Sequence, residues 1–386
     1  MTGLVKGWCP GALRPMASGD GWVVRVRLPL GRMTAAQARG LALAARAHGN
    51  GRMELSNRAN LQLRGVTEAS HRPLLADLAA LGVLDADLAQ EARRNIVISP
   101  FWRAGDGTTA LALDLQARLM DLPDLPGKFG HLIDIGPQRD LAGVSGDLRL
   151  ERGLGGGLIL RADGADLGQP MTRDGAVAAL IATAQWFVDQ GGISAGRGRM
   201  RGLVARLGPP PQAAEPPVPS RAAPAPGACD LGQLVAFDFG SFGAETLLAL
   251  ADLGHDLRLT PWRMLLVEGM VDPAALHALP GLITDPETPL LAVRACPGAP
   301  FCPQAFAPTR PLARALAAHV PNGQILHISG CAKGCAHPLA ADLTLVAGAD
   351  GFTLGRACAA PDVSGPGTSA QALLHNPNPF ADDGAV

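Results

Sequence analysis

The sequence predicts an α+β fold built on a duplicated half-domain, and three observations carry that prediction. A β-α-β-β pattern of about 65 residues starts near residue 15 and recurs about 205 residues later. Strand-like and helix-like runs are mixed, not strictly alternating, between the copies. Four of the seven cysteines form two tight pairs after the second copy. At 386 residues the chain is long enough for two or three cores of ordinary size.

In the first copy, Asp20-Gly21 opens an alternating apolar run over 22–28 that reads as a strand. Thr34 caps an Ala/Leu-rich helix to about Ala47, stopped by Gly49. Residues 53–55 and 61–63 read as short strands around the polar block Ser56-Asn57-Arg58-Ala59-Asn60, and a helix follows over 69–81. In the second copy 231–237 is strand-like, 244–253 is helical, and 257–266 repeats a polar block between apolar residues. One residue of register is lost between them, so the repeat is degenerate. The segmentation is therefore a first half-domain at 15–85, a central α/β domain at 90–205, a Pro/Ala-rich linker at 206–230, a second half-domain at 231–288, a cysteine-bearing α/β domain at 289–360 and a loose tail at 361–386. Strands are expected at 95–98, 132–135 and 157–160 with a helix at 174–189, then a helix at 310–319 and strands at 324–328 and 343–347.

The formal net charge of −1 gives no argument for a nucleic-acid partner. No run of 18 uncharged apolar residues suggests a membrane span, and the N-terminus lacks the apolar core of a signal peptide, so a cytoplasmic protein is expected. Only three of the 33 basic residues are lysines: Lys6, Lys128 and Lys333. Two of these sit in glycine-containing loops, Leu125-Pro126-Gly127-Lys128-Phe129-Gly130 and Gly330-Cys331-Ala332-Lys333-Gly334-Cys335, where a compact ammonium has a use that a planar guanidinium does not.

Cys296 and Cys302 enclose five residues, and Cys331 and Cys335 enclose three. Four thiolates on two short clips match a [4Fe–4S] cluster, one sulfur per iron. Gly298, Gly330 and Gly334 let backbone amides approach, and Pro297, Pro300 and Pro303 stiffen the first clip. Zinc, which favours clips of two to four intervening residues, and inert buried thiols are the alternatives. Disulfides are disfavoured by the odd cysteine count. Cys229 and Cys358 read as unremarkable thiols.

The cysteine spacing, the paired half-domains and the blocks Ser56-Asn57-Arg58, Arg94-Asn95-Ile96-Val97 and Leu125-Pro126-Gly127-Lys128-Phe129 resemble the nitrite and sulfite reductase superfamily over residues 15–350. Within it, Gly7-Trp8-Cys9-Pro10-Gly11, Pro15-Met16, Gly19-Asp20-Gly21 and the run from His327 to Pro338 are similar to the precorrin-3B synthase family. The resemblance implies a nitrite/sulfite reductase-like fold with two ferredoxin-like half-domains and two mixed α/β domains. The activity it implies is an O2-dependent monooxygenase of aerobic cobalamin synthesis, which hydroxylates precorrin-3A at C-20 and closes the ring A γ-lactone with electrons from an NADH-linked donor. A sirohaem-dependent nitrite or sulfite reductase is the alternative.

The cofactors implied are a [4Fe–4S] cluster on Cys296, Cys302, Cys331 and Cys335 and, less firmly defined, a mononuclear non-haem iron, with sirohaem less favoured. Candidate ligands for that second iron are His131, Asp134, His327, His337 and Cys9. Arg58 and Arg94 are the expected grips for the carboxylates of the tetrapyrrole, because guanidinium binds carboxylate in two-point fashion. Arg64 reads as structural. Lys128 and Lys333 are the catalytic candidates. Gly130 stands where reductases of the superfamily commonly carry a second lysine, which weakens the case for reducing a polyanion.

Overall fold

The computed structural model describes residues 10–376 and 378–380. The first sheet runs, in spatial order, Met16–Ser18, Gly21–Val26, Leu61–Val66, Arg52–Leu55 and Ser241–Gly243. The matching sheet of the second half runs Gly227–Cys229, Gly232–Ala236, Met264–Glu268, Leu257–Leu259 and Arg32–Met33. Each half therefore lends an edge strand to the other. Ser241–Gly243 pairs antiparallel with Arg52–Leu55, and Arg32–Met33 pairs with Leu257–Leu259. The exchange closes one edge of each sheet, a position that otherwise leaves backbone groups unpaired.

Helices Ala35–His48 and Ala244–Asp252 pack together between the two sheets, and a single core unites Val24, Leu41, Leu61 and Leu63 with Val235, Leu247, Leu257 and Leu265. The first of these helices starts as its sequence dictates. The Thr34 hydroxyl accepts from the Gln37 amide, and the Gln37 side chain accepts from the Thr34 N–H, so two otherwise orphaned donors are satisfied.

The central sheet has the order Gln169–Met171, Leu158–Ala162, Leu148–Arg152, His131–Asp134, Ile96–Ile98, parallel only over its last three strands. Helices Thr108–Ala117, Ala176–Asp189 and Met200–Leu207 supply its core around Leu115, Phe187 and Leu203. The C-terminal sheet runs Val293–Ala295, Leu326–Ser329, Ala341–Gly348, Gly351–Cys358, with helix Arg310–Leu316 packed on one face.

Two expectations change. Segment 206–230, read as a linker, lies along the central sheet through bridges Gly153–Pro217, Gly168–Glu215 and Arg139–Ser220, and its end is the strand Gly227–Cys229. The described part of the expected loose tail, 361–376 and 378–380, is packed: Thr368 bridges Phe352, and Leu373 and Phe380 enter the C-terminal core. Cys358 accordingly sits on an eight-residue strand, not beside disordered chain.

Candidate functional site

The two cysteine clips hang from the ends of neighbouring parallel strands, Val293–Ala295 and Leu326–Ser329. Cys296 is buried, Cys302 and Cys331 are partly buried, and Cys335 is exposed. The loops are shaped by glycine. Gly298 has φ +67°, and a side chain there would put its Cβ 2.6 Å from the Thr309 amide nitrogen. Gly334 has φ +62°, and a Cβ on Gly330 would meet that of Ala305 at 2.6 Å. The Gly330 N–H donates to Cys296 Sγ at 3.2 Å, and the Thr309 hydroxyl donates to the Cys296 carbonyl at 2.5 Å.

The Cys335 thiol is pushed up by surrounding atoms that displace water and then by the sulfurs of Cys331, Cys296 and Cys302, while Lys333 acts in the opposite direction. Cys335 beside three further cysteine sulfurs, with the Gly330 amide already donating to Cys296 Sγ, fits a group whose irons neutralise four thiolates.

The first clip is braced by the first half-domain. Ser18 Oγ and the Gly19 N–H both donate to the Phe301 carbonyl, at 2.7 and 3.0 Å. Arg64, which spans toward the same carbonyl, is ion-paired to Asp20 at 2.6 Å. Glu54 accepts from Arg310 at 2.7 Å, at the start of the helix that follows the clip.

Arg58 and Lys128, 70 residues apart in sequence, are brought together: Arg58 Nη2 donates to the Lys128 carbonyl at 3.0 Å. The Lys128 side chain is exposed and makes no ion pair among the described residues. The loop behind it is fixed by Asp147, which is fully buried and accepts from the Gly130 N–H at 3.0 Å, the Met200 N–H at 2.9 Å and Arg199 Nε at 2.9 Å. A Cβ on Gly130 would come within 3.0 Å of the Asn95 amide nitrogen that holds the Phe129 carbonyl, so the place of the absent second lysine is closed by packing.

Arg94 does not join them. Its guanidinium is buried, paired in two-point fashion with Asp85 at 2.6 and 2.9 Å, and donates to the Arg27 carbonyl at 2.7 Å. Its expected grip on substrate is corrected to a tie between the first half-domain and the loop before the central sheet.

The candidates for a second iron are also separated. His131 and Asp134 are three apart on one strand and so point to opposite faces of the sheet. The rings of His327 and His337 are 5.8 Å apart, but no three His, Cys, Asp or Glu side chains are grouped to hold one metal ion among the described residues. Cys9 lies outside the described residues. His327 is fully buried with neither ring nitrogen hydrogen-bonded, and burial followed by His337 and Arg263 pushes its pKa down to about 4.

Burial alone lowers His131 to about 4 from 6.5. Because the folded form binds its proton only at lower pH, stability is complete above 6.5 and falls as pH drops toward 4, by on the order of 3 kcal/mol from this ring. Acid unfolding followed by circular dichroism is therefore expected to be less steep over that window in His131→Leu. An identical acid profile would contradict this.

Sequence reasoning missed Arg263. The turn Ser56 to Asn60, closed by a backbone bond at 3.0 Å, is matched in the second half by Thr260 to Met264 at 3.1 Å. Arg263 thus occupies the place of Ala59, both with positive φ, and donates from Nη2 to the Ala336 carbonyl at 3.1 Å, one residue past Cys335. Aligning the two polar blocks would have shown this exchange of alanine for arginine.

Residues 14–81 match the model of the nitrite/sulfite reductase ferredoxin-like half domain. The fold is similar to the structure of the Mycobacterium tuberculosis NirA protein, with a TM-score of 0.66 and 21% identity over 92% of this chain and 79% of that one. A precorrin-3B synthase from Sinorhizobium sp is 31% identical over 383 residues, covering 90% of this chain and 82% of the relative. The half-domain match, the shared fold and this near full-length identity place the chain in the precorrin-3B synthase family, on a nitrite/sulfite reductase-like fold.

Proposed function

We propose that the protein converts precorrin-3A to precorrin-3B as an O2-dependent monooxygenase of cobalamin biosynthesis, acting in the cytoplasm. One oxygen atom enters at C-20 as the hydroxyl and the other leaves as water, with two electrons supplied from NADH through a donor protein and the ring A acetate closing the γ-lactone. The observation that carries this reading is the 31% identity with a precorrin-3B synthase across nine-tenths of the chain. No helix among the described residues is long and apolar enough to cross a membrane.

Cys296, Cys302, Cys331 and Cys335 would hold a [4Fe–4S] cluster. When bound, such a cluster supplies electrons singly, which a reaction of triplet O2 with a closed-shell macrocycle requires. Arg58, positioned by the Lys128 carbonyl, and the exposed Lys128 ammonium together form a cationic lip suited to the acetate and propionate groups of the substrate. Lys333, exposed beside Cys335, would hold a proton at Nζ close to the reacting face.

Arg58→Ala is expected to weaken precorrin-3A binding by about 1.5–3 kcal/mol in a fluorescence titration, the range for a lost bond to a charged group, with cluster content unchanged. Unaltered binding would make Arg58 structural. For the activity as a whole, anaerobically purified protein is given precorrin-3A, NADH, a reductase and O2. The reading expects tetrapyrrole-dependent O2 consumption and a visible spectrum lacking sirohaem bands. Turnover of nitrite or sulfite by a sirohaem-loaded protein, with precorrin-3A untouched, would overturn it.

A further inference from the structure

Arg263 stands in a backbone conformation that a branched-free but bulky side chain seldom adopts, with φ +60°. Such strain persists where the surroundings impose it. Here they do. Gly240 lies so close that a Cβ there would be 2.7 Å from that of Arg263, so the absence of a side chain at 240 makes room for the arginine. The turn aims the guanidinium at the second cysteine clip, where its Nη2 bonds the Ala336 carbonyl.

Arginines outnumber carboxylates there. Arg294, on the strand paired with that of His327, donates only to backbone carbonyls, and neither it nor Arg263 makes an ion pair among the described residues. Glu54 already serves Arg310 at 2.7 Å and lies 3.6 Å from Arg64. Burial, followed by Arg294, pushes the Arg263 pKa down to about 10, with Glu54 and then Cys296 acting in the opposite direction. This guanidinium is crowded by others of its own sign and, with Glu54 shared by Arg310 and Arg64, makes no ion pair of its own among the described residues.

We propose that Arg263, with Arg294 behind it, is the counter-charge of the iron–sulfur group and holds its reduction potential up while bracing the second clip through Ala336. The inference rests on the four-cysteine cluster of the proposed function. The physics is direct: a reduced cluster carries one more negative charge, so a nearby fixed cation stabilises the reduced form more than the oxidised form. Arg263 is a positioning residue: what it touches is the second clip, through the Ala336 carbonyl.

The test is a potentiometric titration of the holo-protein, followed by the electron paramagnetic resonance of the reduced cluster, alongside iron content and thermal unfolding. Arg263→Gln is expected to lower the ratio of reduced to oxidised cluster about tenfold at a fixed potential, a shift of about 59 mV to more negative values for one electron. Arg263→Lys, which keeps the charge, is expected to shift much less. Arg263→Asn relieves the backbone strain, because Asn tolerates positive φ. It should unfold no earlier than wild type and still show the negative shift, which a merely structural role would not produce. Loss of iron from Arg263→Gln with retention in Arg263→Lys would also support the counter-charge. Wild-type potentials in Arg263→Gln and Arg263→Asn at full iron content would overturn this inference alone. Failure of the wild-type protein to assemble any cluster would overturn it together with the cofactor reading.

Discussion

Cys331→Ser is expected to abolish the iron–sulfur chromophore and the activity together. A serine hydroxyl is only weakly acidic and its alkoxide is a hard ligand, a poor replacement for a thiolate on the iron of a cluster. The same loss is expected for Cys296, Cys302 and Cys335, with Cys296→Ser most damaging, because that sulfur is buried and also accepts the Gly330 N–H. Cys229→Ser, on the strand Gly227–Cys229 of the other half-domain, serves as the control and should change neither. Absorbance and iron analysis of anaerobically purified protein decide the matter; a full complement of iron in Cys331→Ser would remove that residue from the ligand set.

The second large effect is expected away from the cysteines, at Asp147. Its carboxylate is fully buried and serves Arg199 and two backbone amides, those of Gly130 and Met200. Asp147→Ala would leave the two amides without an acceptor, which costs about 1–3 kcal/mol for each buried donor, while Arg199, 38% exposed, can turn to water. Because Gly130 closes the loop that carries Lys128, substrate affinity should fall with stability. Urea unfolding is the measurement, and a change under about 1 kcal/mol would mean that water replaces the carboxylate at little cost.

What could be read in the sequence was what local chemistry fixes. Thr34 and Gln37 announce a helix start, Gly49 its end, and the paired polar blocks announce the repeat. The two cysteine clips were legible because close spacing in the chain is a local property. The strand Leu148–Arg152 was not, since Arg149 and Glu151 break its apolar pattern. Both are buried, and Asp163 and Arg161 neutralise them from elsewhere in the chain. The exchanged strands escaped notice because two or three residues such as Arg32–Met33 have no periodicity to read; their pairing is decided by the core that the two halves share. Arg94 shows the converse limit. Its motif was recognisable, but only the fold reveals that Asp85 already occupies its guanidinium.

The proposed function makes O2 the oxidant of a tetrapyrrole substrate. Isotope labelling tests it most directly. Holo-protein with precorrin-3A, NADH and a reductase is run once under 18O2 in ordinary water and once under ordinary O2 in 18O-labelled water, and the product is examined by mass spectrometry. The account expects one 18O atom in the product, at the C-20 hydroxyl, from the gas and none at that position from the solvent. A C-20 hydroxyl labelled from water, or an unlabelled one formed under 18O2, would contradict it.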